Sequence, residues 1–430
     1  MMIFLSFLLC CLGMVFIFKF APPSINEINN ITFNIYLYYF ILSIVGAFII
    51  TWSDDFFDIP SYYINSEIKE YALLVISTNF TIYCLCLLFF LTLFNNANGL
   101  IYKHFKERKF TFSKNEKKIT IFFDCLLVLC ICGLVYFLFI NKSVPLALLI
   151  HGKDFSEVYE ARIEAFNSSA YIFFVKKFLY ETSIIVALYF FVHESKLKKY
   201  IACFICLLFC FIQTEKAPII YLILALFFVS MLKNNKKIGL FKLAFLLTFV
   251  MILLVALYSI LYQQSNAIDS LINVVNRIFI QQISGVFLSI QYFGEYKPFD
   301  LGYNIFPRIY SGIFGIDQSK IIAEQLAEYY LTDLYNAGVV KNINGLYVMD
   351  AWAAGGWIGT ILVTILLAGY GAFTYIFFLR KRKEPTVLAF YGYFSVYNFS
   401  FITSAGVSIF SPFAILFLFI FVILYKISSR

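Results

Sequence analysis

The run "YIACFICLLFCFIQTEKAPIIYLILALFFVSML", Tyr200 to Leu232, decides how this chain is organised. Its 33 residues are apolar except at the centre, where Gln213, Thr214, Glu215, Lys216 and Pro218 stand together. Both flanks, "ESKLKK" (194–199) and "KNNKK" (233–237), are basic. A single membrane span would put these flanks on opposite faces, whereas the bias of Lys and Arg toward the cytoplasm puts both on one. The chain must therefore cross and come back. "QTEKAP" becomes the apex of a helical hairpin, with Pro218 at or near the first position of the returning helix, where its missing N–H costs no hydrogen bond. Each arm holds about 13 to 15 residues, or ~20–23 Å of helix. That is short of a ~30 Å hydrocarbon core, so the apex is expected to lie recessed below the membrane surface.

The rest of the chain has the same character. Hydrophobic residues make up 62% of the 430 and charged residues 13%, against roughly half and a quarter in a soluble domain. Apolar runs recur over 3–18, 33–51, 71–94, 119–140, 178–192, 200–212, 218–232, 243–262, 351–379, 386–404 and 406–425. The sequence thus predicts an all-α polytopic membrane protein of about eleven spans, one integral membrane domain over 1–430. The first run, "MMIFLSFLLCCLGMVFIF", lacks a basic leading segment and a small-residue cleavage site, and reads as a retained helix. All ten cysteines fall inside predicted spans, so none is placed to form a disulfide in an aqueous loop. Cys203 and Cys206 match a C-x-x-C spacing, but in an apolar helix they read as small apolar residues.

The formal charge of +8 is set by membrane topology, not by a nucleic-acid partner. One set of loops (19–32, 95–118, 193–199, 233–242, 380–385 and the tail) carries 21 Lys and Arg in about 66 residues. The other set (52–70, 141–177, 213–217, 263–350) carries 12 in about 149. The first set is therefore expected in the cytoplasm, with the amino terminus outside and the carboxyl terminus inside.

Almost all outward polar mass then sits in two loops, 141–177 and 263–350. A connector as long as the second is uncommon unless it is functional. Its first part, "AIDSLINVVNRIFIQQISGVFLSIQYF", would move "RKRK" outside if it crossed, so it is expected to be an interfacial or re-entrant helix. At helical spacing Asp269, Asn273, Arg277, Gln281 and Ser284 make one polar stripe. Farther on, "QSKIIAEQLAEYYLTDLYNAG" reads as a helix ending at Gly338, with Glu324 and Glu328 one turn apart. Two such helices joined by a turn make a lid.

This order of segments resembles the Wzy-type O-antigen polymerases, or oligosaccharide repeat-unit polymerases: ten to twelve spans, a medium outward loop, a short helical hairpin, then a long outward loop. The local matches are "QTEKAPIIYLILAL" at the hairpin turn, "VYEARIEAF" for a Tyr-x-x-Arg element in the preceding loop, and "GLYVMDAWAAGGWIGTILVTILLAGYG" after the long loop. The turn carries Lys216 where relatives commonly have Arg, which loses a bidentate fork and keeps a point charge suited to phosphate. The long loop holds no histidine, unlike that of the related O-antigen ligases, which favours polymerase over ligase.

The resemblance implies a bacterial inner-membrane glycosyltransferase with its active face in the periplasm. It joins undecaprenyl-pyrophosphate-linked oligosaccharides, in the lipid bilayer, with a chain-length regulator as a further partner. Such a transfer needs cations for the departing pyrophosphate, a base for the acceptor hydroxyl, and a surface for sugars. The outward cations are Arg162, Lys176, Lys177, Lys216, Arg277 and Arg308. Of these Lys216 is best placed, recessed and beside the positive end of the helix starting at Pro218; Arg162, Arg277 and Arg308 complete the pyrophosphate candidates. The plain alternatives are a pair with Glu215 or a snorkelling lysine for Lys216, a salt bridge for Arg162, and headgroup contact for the other two arginines. Base candidates are Glu157, Glu160, Glu181, Glu324, Glu328 and Asp350, with Glu160 taken first. Sugar-surface candidates are Tyr303, Tyr310 and Trp352, with Tyr329, Tyr330 and Tyr335 nearby; the alternative is an interfacial aromatic belt. No metal-ligand spacing, P-loop or dinucleotide fingerprint is present, so neither metal nor cofactor is expected.

Three other activities compete: a lipid-linked oligosaccharide flippase, an O-antigen ligase, and a polyprenyl-phosphate-dependent glycosyltransferase. A flippase would carry charges through many helices and short loops on both faces, unlike this chain. The last would use the acidic pair Asp54 and Asp55 of "TWSDDFFDIP", although that pair follows the second span and no large carboxyl-terminal soluble domain appears.

Overall fold

The computed structural model describes residues 1–20, 39, 43–52, 64–94, 100–140, 148, 151, 170–212, 217–235, 240–261, 267–300, 320–336, 342–403 and 412–429. Those residues are mostly helical, with no strand among them. In chain order the helices are α1 (Met2–Phe20), α2 (Val45–Trp52), α3 (Ser66–Leu93), α4 (Leu100–Glu107), α5 (Glu116–Ile140), α6 (Ala170–His193), α7 (Lys196–Ile212) and α8 (Ala217–Lys233). They continue with α9 (Leu240–Leu261), α10 (Ala267–Val275), α11 (Ser284–Gln291), α12 (Ile322–Tyr330), α13 (Thr332–Asn336), α14 (Tyr347–Leu379), α15 (Pro385–Thr403) and α16 (Pro412–Ser429).

Three described helices, α3, α5 and α14, are long and apolar enough to cross a membrane, and the bent pair Ile268–Ile280 and Ser284–Tyr296 makes a fourth if it counts as one span. The protein is thus a membrane protein. Its helices overrun the apolar runs at their polar ends. Helix α3 begins at Ser66 because Asn65, in extended conformation, accepts the Glu67 N–H at 3.3 Å and caps the first turn. Helix α6 begins at Ala170, so Lys176 and Lys177 lie on a helix, not in the expected loop, and Lys176 is buried. Pro218 is the second residue of α8, and α7 and α8 have 17 residues each, longer than the expected 13 to 15. At ~1.5 Å per residue they still fall short of the hydrocarbon thickness.

The chain divides into two compact units. The first comprises Met1–Ile101, Ile272–Phe377 and Tyr397–Ser411. Here α1 lies along α3, joined where Thr81 Oγ1 donates to Leu9 O at 2.7 Å, and Gly13 rests on the Phe80 ring. Helix α2 meets the turn after α10 backbone to backbone: a Cβ on Gly46 would stand 1.9 Å from Phe279 O. A buried polar ladder ties these elements to α14. Tyr39 and Tyr347 share a 2.8 Å hydrogen bond, as do Tyr347 and Thr364, and Thr364 donates to Asn79 Oδ1 at 2.9 Å. In an apolar surround such a ladder fixes which helix faces meet, because each hydroxyl lacks water as a substitute partner.

The second unit comprises Tyr102–Leu271, Phe378–Val396 and Pro412–Arg430. Helices α5, α6 and α7 pack around Cys130, Leu134, Phe137, Leu179, Ile205 and Phe209. Gly133 allows this, since a Cβ there would stand 2.3 Å from Leu179 Cδ1. Outer positions of α5, among them Ile121, Val128, Val135 and Phe139, are exposed apolar side chains, as suits a helix facing lipid. Two acidic side chains of this unit have partners: Lys198 reaches both oxygens of Asp124 at 2.7 Å, and Tyr393 donates to buried Glu181 at 2.6 Å. Near one end, buried Lys383 donates to Lys106 O at 2.9 Å and to Asn235 Oδ1. All ten cysteines are free thiols.

Candidate functional site

The most distinctive chemistry of the first unit lies where the segment 272–300 packs on the start of α14 and on α12. The stretch expected to be one interfacial or re-entrant helix is instead two, α10 and α11, each followed by a π turn (Asn276–Ile280 and Tyr292–Tyr296) and bent by 48° at the break between them. Only its first half follows the expected polar stripe: Asp269 and Arg277 are exposed, while Ser284 and the rest of α11 are buried. Gly285 permits this burial, its N–H donating to Asn344 O at 3.1 Å where a side chain would collide. Ser289 donates to Met349 O at 2.9 Å, which fastens α11 to the first turn of α14.

Helix α14 is interrupted. Gly356 adopts φ 56°, ψ −133°, a conformation open in practice to glycine alone, and divides the helix into 347–354 and 357–379. Phe299 covers the break, its ring edge 3.0 Å from where a Gly356 Cβ would be. The backbone N–H of Asp300 donates to Ala353 O at 2.8 Å, satisfying a carbonyl that the break would otherwise orphan. Around it stand Trp352, Trp357 and Tyr71, with ring centroids about 6 Å apart. Trp357 donates its indole N–H to Tyr71 at 2.7 Å, whereas the buried Trp352 indole N–H has no hydrogen-bond partner among the described residues.

Helices α12 and α13 replace the single helix expected to run to Gly338, parting at Leu331, and Gly338 lies outside the described residues. Glu324 accepts from Tyr335 at 2.8 Å, and Glu328 pairs with Lys320 at 2.6 Å. The bond to the carboxylate raises the Tyr335 hydroxyl above its ordinary pKa, and the same kind of bond raises Lys320. Burial, then neighbouring hydroxyls and Glu295, push Tyr330 up as well. Both glutamates offered as bases are therefore engaged by a partner.

Of the other expected site residues, Arg277 is exposed and donates to Gln281 at 2.6 Å, one turn on. Trp352 is buried within the aromatic cluster at the helix break, not presented on a surface. Glu181 sits in the second unit against Tyr393, and Asp350 is buried in the first turn of α14. Glu157, Glu160, Arg162, Glu215, Lys216, Tyr303, Arg308, Tyr310, Asp54 and Asp55 lie outside the described residues. What sequence reasoning misses is the group Tyr292, Tyr296 and Phe299; the i, i+4 tyrosines of "YFGEY" are the one signal that points to it.

Comparison with known proteins finds no family model, no curated protein and no solved structure that matches the chain.

Proposed function

We propose that this protein is a polysaccharide polymerase of about eleven membrane crossings in a bacterial inner membrane. It acts at the periplasmic face on undecaprenyl-pyrophosphate-linked repeat units of O-antigen or capsule type. In the reaction, a hydroxyl at the non-reducing end of an incoming lipid-linked repeat attacks C1 of the growing glycan. The bond from C1 to the pyrophosphate oxygen breaks, its electron pair leaves with undecaprenyl pyrophosphate, and the hydroxyl proton passes to a carboxylate base, for which Glu160 is the candidate. Lys216, aided by Arg162, Arg277 and Arg308, stabilises the departing charge; Tyr303 and Tyr310 belong to the sugar side of the site.

The observation that carries this reading is the packing of the long segment. Tyr330 of α12 donates to Leu288 O of α11 at 3.5 Å, Ser289 of α11 donates to Met349 O in the first turn of the interrupted helix α14 at 2.9 Å, and just beyond the bent pair Asp300 N donates to Ala353 O of α14 at 2.8 Å. A built structure on the side with few basic residues suits an enzyme that assembles two large lipid-linked substrates, and suits a flippase poorly. The few described charges at apolar depth, Asp124 and Glu181, are each tied to a partner, which leaves no train of free charges for transport among the described residues.

The test is Lys216→Ala in the native cell. Long-chain surface polysaccharide should vanish while the single-repeat product and the protein level persist. A normal chain-length ladder from that variant would remove Lys216 from the mechanism.

A further inference from the structure

Tyr296 and Tyr329 are about half exposed, at 55% and 46%, though they belong to elements that are otherwise well packed. The Tyr329 ring lies 4.9 Å from Tyr292 and 5.4 Å from Tyr296. The π turn makes this possible. Its wide i to i+5 closure, Lys297 N to Tyr292 O at 2.9 Å, directs both tyrosines of "YFGEY" at one ring of α12. Beneath them Phe293 and Tyr330 are buried, Tyr330 reaching Leu288 O at 3.5 Å, so the exposed rings rest on a fixed base.

The rim of this surface is polar. Lys297 donates to the neutral amide of Gln325, and Lys320 pairs with Glu328. Glu295 is exposed and makes no ion pair among the described residues. An aromatic belt at a lipid headgroup layer needs neither a carboxylate nor a locked amide at its edge. A sugar ring uses both: its C–H face lies on the aromatic rings and its hydroxyls reach the rim.

We propose that Tyr292, Tyr296 and Tyr329 form a shelf that holds one uncharged pyranose ring of the glycan, with Glu295 and Glu328 accepting from its hydroxyls. This rests on the polymerase reading and adds a sugar subsite to it. The two ammonium groups and two carboxylates of the rim balance in charge, which suits a ring without charge of its own.

The experiment uses full-length protein in lipid nanodiscs and, as probe, the oligosaccharide hydrolysed from the host's own lipid-linked pool. Saturation-transfer NMR should show transfer to the ring C–H groups of one uncharged sugar. Tyr296→Ala and Tyr329→Ala should weaken it at least tenfold, and Tyr329→Phe should keep it. Tyr296→Ala guards against misfolding, since that side chain is the more exposed. No transfer in the wild type, equal transfer in the alanine variants, or transfer centred on an acidic ring would overturn the proposal. So would quenching of the shelf tyrosines by headgroup-labelled lipid with no response to sugar. Chain-length ladders separate the two levels: if Tyr329→Ala leaves the ladder intact while Lys216→Ala abolishes it, the shelf is wrong and the polymerase reading stands. A normal ladder in cells lacking the protein sinks the polymerase reading itself.

Discussion

Gly355 and Gly356 are neighbours in sequence and should respond differently to the same substitution. At Gly356 an alanine would have to hold φ 56°, ψ −133°, a region that costs a non-glycine residue ~1–3 kcal/mol. Its Cβ would also press on Phe299 at 3.0 Å, although that ring is 39% exposed and can swing aside. The expected loss is therefore ~2–3 kcal/mol, most of it from the backbone. At Gly355 the backbone is extended, with φ 175°, and an added Cβ would meet nothing within 4 Å. Alanine there should be neutral to within ~1 kcal/mol, and stabilising if it restricts the unfolded chain. For a unit of this size each kcal/mol moves Tm by ~2–4 °C, so Gly356→Ala should lower it by ~5–10 °C and Gly355→Ala by almost nothing. The buried thiols Cys10 and Cys84 of the first unit report the transition when a thiol-reactive dye is present during heating. Equal shifts for the two variants, or none for Gly356→Ala, would refute the claim that the break in α14 depends on a glycine-only conformation.

Three further outcomes are expected. Thr364→Val leaves Tyr347 and Asn79 each short of a partner in the buried ladder and should cost ~1–3 kcal/mol, with Thr364→Ser restoring most of it in the same thermal assay. Lys383 has its pKa lowered to about 8, first by burial and then by the nearby Lys106 ammonium; the folded state therefore sheds that proton before the unfolded state does, and stability should rise between pH 8 and about 10.5 by at most ~3 kcal/mol. Heating wild type and Lys383→Met across that range should show the rise in the wild type and a flatter profile in the variant. Asp54→Ala and Asp55→Ala, made together, should leave the polysaccharide ladder unchanged; its loss would favour the polyprenyl-phosphate-dependent glycosyltransferase.

The helices are legible in the sequence because each apolar run is long enough to dominate a hydropathy window, and every predicted run coincides at least in part with a described helix. Their ends are not, since hydropathy is blind to caps such as Asn65 and to polar first turns such as the one that places Lys176 on α6. Pro218, expected at or near the start of the returning helix, is the second residue of α8, while the turn 213–216 lies outside the described residues. The bend between α10 and α11 is foreshadowed only as an interfacial or re-entrant segment, because a π turn arises from local packing and has no residue signature. The paired glycines before Trp357 are visible as letters; that Gly356, and not Gly355, carries the positive φ depends on Phe299 and Asp300, more than 50 residues earlier in the chain. The tyrosine shelf is legible only in pieces for the same reason: the spacing in "YFGEY" and the candidate Tyr329 are visible separately, but their meeting joins residues 292 and 296 to residue 329.

Polymerisation itself can be watched with purified protein in proteoliposomes, supplied with lipid-linked repeat units extracted from cells lacking it. A polymerase yields a ladder of lipid-linked products rising by one repeat at a time, with undecaprenyl pyrophosphate released at each step. Repeat units that stay single, or that merely move across the bilayer unchanged, would contradict the proposed activity.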